Sequence, residues 1–256
     1  MSESQGTRGS IIRTSNLTHR FADGTLGLDS ITLTVWEGEL VVISGRNGSG
    51  KTLLARHLNG LLEPTTGWVE LAGEPVSKNP ARARQLVGLI FQDSDSQIVG
   101  ETVSEDVAFG PRNLRLDREE IEERVDRSIR SVGLAGLEER PAHLLSGGEK
   151  RCLAVAGVLA LNPRVVVFDE PFSNLDYPAT RRVLGQIVDL HRGGHTVVVI
   201  THDLDRILAH ADRLILMESG RIARDGRPAD VIEDVELFGV RKPGSSIEEL
   251  TWLDDD

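Results

Sequence analysis

The feature that most limits how this chain can fold is an apolar run that leads into a glycine-rich loop and then a helical pattern. Residues 40–43 are continuously apolar, which is typical of a strand covered on both faces in a parallel sheet. Residues 45–52 follow with the spacing Gly-x-x-x-x-Gly-Lys-Thr, and Leu53, Leu54 and Leu58 continue with helical spacing. Strand, loop and helix in this order predict an α/β protein whose loop presents backbone N–H groups to an anion.

The loop has the chemistry to hold the phosphates of a nucleotide. Its glycines allow successive N–H groups to turn inward at the start of the helix. Lys51 is predicted to reach the β- and γ-phosphates, and the hydroxyl of Thr52 to ligate Mg²⁺. An ordinary glycine-rich turn is the alternative, and the flanking strand and helix argue against it. The residues predicted to bind the nucleotide here are Gly45, Arg46, Asn47, Gly48, Ser49, Gly50, Lys51 and Thr52.

The remaining apolar runs predict a sheet interrupted by a helical segment. Further strands are predicted at residues 31–35, 86–91, 165–168, 197–200 and 214–217. Residues 103–161 have few β-branched runs and show helical spacing at Ile121, Val125, Ile129 and Val132. This segment is therefore predicted to be a helical subdomain inserted between two strands of the core sheet.

Length, charge and cysteine content argue against several classes of protein. We expect residues 1–243 of the 256 to form one domain and residues 244–256 to be a loosely ordered acidic tail. The formal net charge of −11 disfavours binding to nucleic acid. The single cysteine, Cys152, cannot form an intrachain disulfide, and residues 1–10 do not resemble a signal peptide. No apolar run approaches the roughly 20 residues that cross a bilayer, so action at a membrane would need other subunits.

Two carboxylates follow the apolar run at residues 165–168. Asp169 is predicted to enter the Mg²⁺ shell, and Glu170 to polarise the water that attacks the γ-phosphate. The alternative is an acidic strand end capped by a turn at Pro171. His202 follows the strand at residues 197–200 and could contact the γ-phosphate, although a lone histidine is more often structural.

A second glycine pair predicts a second anion site. Residues 145–149 read Leu-Ser-Gly-Gly-Glu and open a helical pattern that continues to Leu159. One nucleotide does not need two such helix N-termini from one subunit. The economical explanation is that two subunits face each other and each gives its second site to the other's nucleotide.

With these motifs in this order, the sequence resembles the ABC ATPase family from about residue 11 to residue 243. The resemblance implies the α/β fold of a phosphate-loop nucleotide hydrolase, with a mixed central sheet, an antiparallel β subdomain and the inserted helical subdomain. The matching segments are Phe21 at the aromatic that stacks on adenine, residues 45–52 at Walker A, residues 62–67 at a common turn, Gln92 at the Q-loop, residues 145–149 at the signature, residues 165–170 at Walker B, residues 173–176 at the D-loop and residues 201–203 at the switch histidine.

The resemblance also implies a mechanism. Two ATP molecules lie at a dimer interface, each between Walker A of one subunit and the signature of the other. The implied signature contacts are Ser146, Gly147, Gly148 and Glu149. The implied catalytic residues are Glu170 as base, His202 as sensor of the γ-phosphate, and Gln92. The implied Mg²⁺ ligands are Thr52, Asp169 and Gln92. The dimer closes around ATP and reopens after hydrolysis, and this conformational change is passed to a partner through the groove near Gln92.

Within the family, residues 91–100, 106–111 and 154–160 resemble the energy-coupling-factor ATPases. These power the uptake of vitamins or of cobalt and nickel at the cytoplasmic face of the membrane, with a transmembrane scaffold and a small substrate-binding membrane protein. Residues 169–173 are similar to the biotin or cobalt/nickel subgroup, in which the ATPase pairs with itself; a sister ATPase is the alternative partner. Glu149 stands where glutamine is commoner and Cys152 where arginine is usual, and Cys152 is interpreted as a small buried residue rather than a redox sensor.

Three other functions fit the sequence less well. A soluble ABC ATPase acting on DNA, ribosomes or iron–sulfur assembly usually has a second nucleotide domain, a coiled coil or a cysteine cluster, and none is found in the sequence. A small-molecule kinase or GTPase needs no Leu-Ser-Gly-Gly signature. An ATPase of another transporter type, such as an amino-acid importer or an exporter, is disfavoured by the resemblance of residues 92–111 alone.

Overall fold

The structure is a computed structural model that describes residues 9–250 and 252–253. Its strands are β1 (Ser10–Arg20), β2 (Leu26–Trp36), β3 (Leu40–Ser44), β4 (Thr66–Leu71), β5 (Glu74–Pro75), β6 (Val87–Ile90), β7 (Val165–Asp169), β8 (Thr196–Ile200), β9 (Arg213–Glu218) and β10 (Arg221–Gly226). Its α-helices are α1 (Lys51–Leu58), α2 (Pro80–Leu86), α3 (Val103–Asn113), α4 (Arg118–Ser131), α5 (Gly147–Leu159), α6 (Tyr177–Arg192) and α7 (Pro228–Val231).

The central sheet has the strand order β10-β9-β3-β8-β7-β6. Its neighbours pair in parallel except β10, which runs antiparallel to β9. The strands are apolar throughout because both faces are covered: on β7, Val166 and Phe168 point into one core cluster while Val165 and Val167 point into the other. The predicted mixed sheet is confirmed.

A second, antiparallel sheet has the order β2-β1-β4-β5 and covers one face of α1. Leu33 and Val35 of β2 share a core cluster with Leu54 and Leu58 of α1. This packing places the end of β1, and Phe21 just beyond it, beside the loop that precedes α1.

Residues 103–161 lie between β6 and β7 and contain α3, α4 and α5, as predicted. The helices share one continuous core with the central sheet: Val107 of α3 and Ile129 of α4 belong to the same buried cluster as Val166 of β7. Helix α5 joins the two parts because it packs against α3 and α4 and also against α6 and β6.

The chain after residue 243 departs from the prediction of a loosely ordered end. Leu250 is buried, and Trp252 packs against Tyr177 with 5.4 Å between ring centroids. Apolar side chains, which the charge count overlooked, anchor this segment. Thr251 and residues 254–256 of the predicted tail lie outside the described residues, and the division of the chain at residue 243 stays a prediction. Within the described part of the chain, no helix is long and apolar enough to cross a membrane.

Candidate active site

The loop between β3 and α1 has the backbone geometry of an anion cradle. Gly45 has a φ of +140°, and a Cβ atom there would lie 2.2 Å from the carbonyl oxygen of Met217, so a larger residue would force the loop to move. Gly50 caps α1 in the left-handed conformation at φ 102°. The first turn of α1 has neither a side-chain cap nor an acidic residue, which leaves its N–H groups available to phosphate oxygens.

Lys51 lies inside this loop with its side chain directed back over it. Its Nζ donates to the carbonyl oxygens of Gly45 at 2.7 Å and Arg46 at 2.9 Å. Burial lowers the pKa of Lys51, while the nearby carboxylates of Glu170 and Asp169 oppose that shift. The loop therefore holds a cation where the phosphates of a nucleotide would need one.

Asp169 ends β7 and is the carboxylate on the metal side of the site. It is buried, and burial raises its pKa, against the opposing effect of a hydrogen bond with Thr52. Its Oδ1 atom is buried with no hydrogen-bond partner. A buried, unpartnered carboxylate oxygen beside a threonine hydroxyl is a donor set that suits a hard divalent cation such as Mg²⁺.

Glu170 is the next residue and turns away from β7, because its φ of +49° lies in the left-handed region. One carboxylate oxygen accepts a hydrogen bond from the hydroxyl of Thr201 at 3.3 Å, and the other lies 2.9 Å from Nδ1 of His202. Thr201 and His202 follow β8, the strand adjacent to β7. The structure thus brings the predicted base and the predicted switch histidine into direct contact.

A cleft of about 610 Å³ gathers most of the predicted residues. Predicted residues that line it are Phe21, Asn47, Gly48, Gly50, Lys51, Thr52, Gln92, Asp169 and Glu170. Gly45, Arg46 and Ser49 belong to the loop but do not line the cleft, and His202 reaches the site through Glu170. Phe21 is 45% exposed, so part of its ring is available to a base.

Gln92 follows β6 in a loop held by a residue that the sequence did not single out. The guanidinium of Arg151, on α5, donates to the carbonyl oxygens of Phe91 at 2.5 Å and Gln92 at 2.6 Å. Burial lowers the pKa of Arg151, and the carboxylates of Asp93 and Asp169 oppose the shift. Nothing in the spacing of a lone arginine indicated this contact.

The second predicted anion site lies at the start of α5 and does not line the cleft. Ser146 caps the helix in a reciprocal box with Glu149: the Ser146 N–H donates to the glutamate at 2.7 Å, and the Glu149 N–H to the Ser146 hydroxyl at 3.3 Å. These bonds lower the pKa of Glu149. Around Gly147 there is open space, so a ligand could approach the helix end closely.

Glu149 thus has a structural use in the cap, and its role as a nucleotide contact stays a prediction. Cys152, three residues further along α5, is fully buried. Its sulfur lies 3.2 Å from Nε2 of Gln186, and burial raises the pKa of its thiol. A buried thiol of raised pKa is unreactive, in agreement with its interpretation as a small core residue.

The phosphate loop, the buried carboxylate beside Thr52 and the second carboxylate beside Thr201 define a phosphate-loop nucleotide hydrolase. The family model for ABC transporters matches residues 28–173, and the chain belongs to that family. It is 43% identical over 231 residues to the energy-coupling factor transporter ATP-binding protein EcfA of Methanocaldococcus jannaschii, a comparison that covers 89% of this chain and 83% of that protein. As a family member, the chain binds ATP and is an ATPase coupled to transport.

Solved structures agree with this assignment. CbiO1 of Clostridium perfringens, described as part of the ABC transporter complex CbiONQ, has a TM-score of 0.81 at 33% identity, covering 89% of this chain and 92% of that one. A dimeric ATP-binding cassette in a post-hydrolysis state, bound to ADP and phosphate, has a TM-score of 0.76 at 26% identity, covering 85% of this chain and 98% of that one. The predicted fold class is confirmed.

Proposed function

We propose that this chain is the ATPase of an energy-coupling-factor importer that takes up a vitamin such as biotin, or a cobalt or nickel ion. The observation that carries the proposal is the cleft that unites Phe21, Lys51, Asp169 and Glu170 while the Ser146 helix end lies outside it. The relative EcfA is named for that importer class, and CbiO1 is described as part of a transporter complex.

Each side chain of the cleft has a separate task in hydrolysis. Phe21 stacks on adenine, and Lys51 with the N–H groups of the loop binds the β- and γ-phosphates. Glu170 polarises the attacking water, and its contact with His202 keeps the carboxylate in place. Gln92 stands at the wall of the same cleft.

Mg²⁺, held by Thr52 and Asp169 with Gln92 alongside, would neutralise charge on the phosphate oxygens. The proposal is supported by Oδ1 of Asp169, which is buried without a partner. The cost of burying that oxygen is relieved when a cation binds it.

The chain works as a dimer, either with itself or with a sister ATPase. Ser146 and Gly147 are exposed, and neither of them lines the cleft of its own chain. A second subunit, facing the first, brings its Ser146 to the γ-phosphate held by Lys51. The dimeric relative bound to ADP and phosphate supports this arrangement.

The membrane partners are a transmembrane scaffold and a small substrate-binding subunit, with this chain at the cytoplasmic face and no nucleic acid bound. A groove of about 600 Å³ supports docking of the scaffold. The groove is lined by Asp95 and Ile98, in the loop after Gln92, and by Pro141 and Lys150, and an ion pair at 2.7 Å joins Lys150 to Asp95. Motion of α5 or of that loop would therefore change the shape of the groove.

The proposal is tested by tagging the chain in its native host, solubilising the membranes in mild detergent and identifying what co-purifies. We expect a scaffold membrane protein together with a small integral membrane protein, whose bound ligand identifies the cargo. Recovery in the soluble fraction only, with ribosomes, DNA or no membrane protein, would contradict the importer function and favour a soluble ABC ATPase.

A further inference from the structure

Arg206, which has no task in the proposed mechanism, contacts the chain just after both Glu170 and His202. Its Nε forms an ion pair with Oδ2 of Asp203 at 2.7 Å, and the arginine side chain is 23% exposed. A terminal nitrogen of the same guanidinium donates to the carbonyl oxygen of Phe172 at 3.2 Å. One side chain therefore has a bond to each of the two segments that carry the predicted base and the predicted switch histidine.

These two bonds lie where the central sheet no longer joins the segments. Strands β7 and β8 pair as far as Asp169 and Ile200. Beyond that point the chain turns sharply at Glu170, whose φ is +49°. Because the guanidinium is planar and rigid, its two bonds fix the distance between the turn after Glu170 and the segment after β8.

The contact of Arg206 with Asp203 reaches the carboxylate of Glu170 through Thr201. The N–H of Asp203 donates to the Thr201 hydroxyl at 3.0 Å, and that hydroxyl donates to one oxygen of Glu170 at 3.3 Å. His202, between Thr201 and Asp203, lies 2.9 Å from the other oxygen. A shift of Asp203 would therefore disturb both contacts that hold the base.

The end of the chain packs on the guanidinium. The Cζ atom of Arg206 lies 5.3 Å from the ring centroid of Trp252 and 5.7 Å from that of Phe172, both within the range of a cation–π contact. Trp252 also contacts Tyr177 at the start of α6, and the hydroxyl of Thr180 on that helix accepts from the guanidinium at 3.4 Å. This packing restricts a side chain that would otherwise have many rotamers.

We propose that Arg206 is a positioning residue for ATP hydrolysis, which ties the turn after Glu170 to the segment of His202, and that Trp252 holds its guanidinium in place. The inference rests on the proposed function, since it takes Glu170 as the base. A base must lie within hydrogen-bond reach of the water whose proton it takes, so a small displacement slows the chemical step. Neither Arg206 nor Trp252 lines the nucleotide cleft, so ATP binding should be unaffected.

Substitutions of Arg206 test this by separating turnover from binding on the full-length chain. Arg206→Met keeps the apolar stem and removes the donors, so kcat is expected to fall about tenfold or more. The affinity for ATP, measured by calorimetry in EDTA to prevent turnover, should stay within about twofold of wild type. Arg206→Lys keeps the charge but cannot span both partners as a fork does, so its kcat should lie between the two.

A wild-type kcat in Arg206→Met would overturn the inference. So would a fall in ATP affinity as large as the fall in kcat, because that result indicates general damage to the fold. Arg13→Met is the matched control, since Arg13 also pairs with a glutamate, at 3.4 Å, and lies 5.7 Å from the ring of Trp68. Arg13 does not line the cleft, and its variant should keep the wild-type kcat.

Two variants of Trp252 test the second part of the proposal. Trp252→Phe keeps an aromatic ring against the guanidinium, whereas Trp252→Leu keeps apolar packing alone. We expect Trp252→Phe to stay near wild type and Trp252→Leu to lose about three- to tenfold in kcat, as one cation–π contact allows. Equal kcat values for the two variants would refute the role of the ring.

Glu170→Gln distinguishes a failure of this inference from a failure of the proposed function. If Glu170→Gln kept wild-type turnover, the assignment of the base would fail whatever Arg206 did. If Glu170→Gln lost turnover while Arg206→Met kept it, the base would stand and the positioning role alone would fail. Thermal melting establishes that each variant is folded, and if Arg206→Met did not fold, Arg206→Lys and the two Trp252 variants would decide the question.

Discussion

Replacing Arg151 with methionine tests whether α5 holds the loop that carries Gln92. Arg151 is 3% exposed, and its two hydrogen bonds reach the backbone of Phe91 and Gln92. The same helix begins at the Ser146 cap, so Arg151 links the predicted dimer contact to the loop at the cleft wall. Methionine keeps most of the apolar packing of the arginine stem but removes both donors.

The expected loss of stability follows from three opposing effects. Two hydrogen bonds from a charged group are worth about 1.5–3 kcal/mol each. Removing the buried charge offsets part of this loss of stability, because the guanidinium of Arg151 is desolvated in the folded protein. The lowering of its pKa by burial indicates that desolvation. Gln92 is exposed, so water can replace the guanidinium at its carbonyl, whereas the half-buried Phe91 is less accessible. We therefore expect a net destabilisation of about 2–3 kcal/mol.

Lys150→Met is the matched control on the same helix. Urea unfolding of Arg151→Met and Lys150→Met, each compared with wild type, measures the loss of stability. Lys150 forms an ion pair with Asp95 at 2.7 Å whose aspartate side chain is 65% exposed. An ion pair of this kind contributes about 0–1 kcal/mol. In ATPase assays, Arg151→Met should lower kcat more than it changes KM, because Gln92 loses its support while the phosphate loop is untouched.

A single result would refute this reasoning. If Arg151→Met unfolded within about 0.5 kcal/mol of Lys150→Met, the two hydrogen bonds would contribute nothing net. The loop of Gln92 would then be held by other contacts, such as the bond from the Gln97 amide to the carbonyl of Leu89 at 3.0 Å.

Two further substitutions test the proposed catalytic arrangement. Glu170→Gln is expected to bind ATP and dimerise normally but to lose steady turnover by about 10²–10⁴-fold, the usual contribution of a general base; wild-type turnover would remove Glu170 from that role. Ser146→Arg is expected to abolish hydrolysis while the nucleotide affinity of the monomer, measured by calorimetry, stays near wild type. Full activity in Ser146→Arg would refute the shared-site dimer.

The elements whose pattern is local could be predicted from the sequence. The strand before the phosphate loop, the apolar run ending in Asp169 and the helical spacing of residues 121–132 each depend on neighbours along the chain, and the structure places all three as expected. The phosphate loop could be predicted equally well, because its conformation requires glycine at fixed positions such as Gly45.

Contacts between distant segments could not be predicted in the same way. Arg206 lies 34 residues from Phe172, and Arg151 lies 59 residues from Gln92. Neither pair has a spacing that distinguishes it from other residues on a helix or strand. The anchoring of Trp252 on Tyr177 was missed for a related reason: the acidic composition of the tail concealed the apolar residues within it.

Strand order explains the contact between Glu170 and the residues that follow β8, which the motifs alone did not indicate. β8 lies between β3 and β7, so the residues after it stand between the phosphate loop and Glu170. Thr201 and His202 consequently reach the glutamate, whose side chain is 12% exposed, while His202 itself is 61% exposed. The histidine therefore holds the base through one nitrogen and leaves most of its ring open.

This arrangement gives His202 two functions that an alanine substitution cannot separate. His202→Ala removes both the contact with Glu170 and any contact with the γ-phosphate, so a loss of activity cannot be assigned to either. His202→Asn keeps an amide near the position of Nδ1 and should restore the hold on Glu170 without restoring a group at Nε2. If positioning of the base is the larger effect, kcat of His202→Asn should recover at least about tenfold over His202→Ala, the change that one charge-assisted hydrogen bond supports. Equal kcat values for the two variants would instead assign the main effect to Nε2.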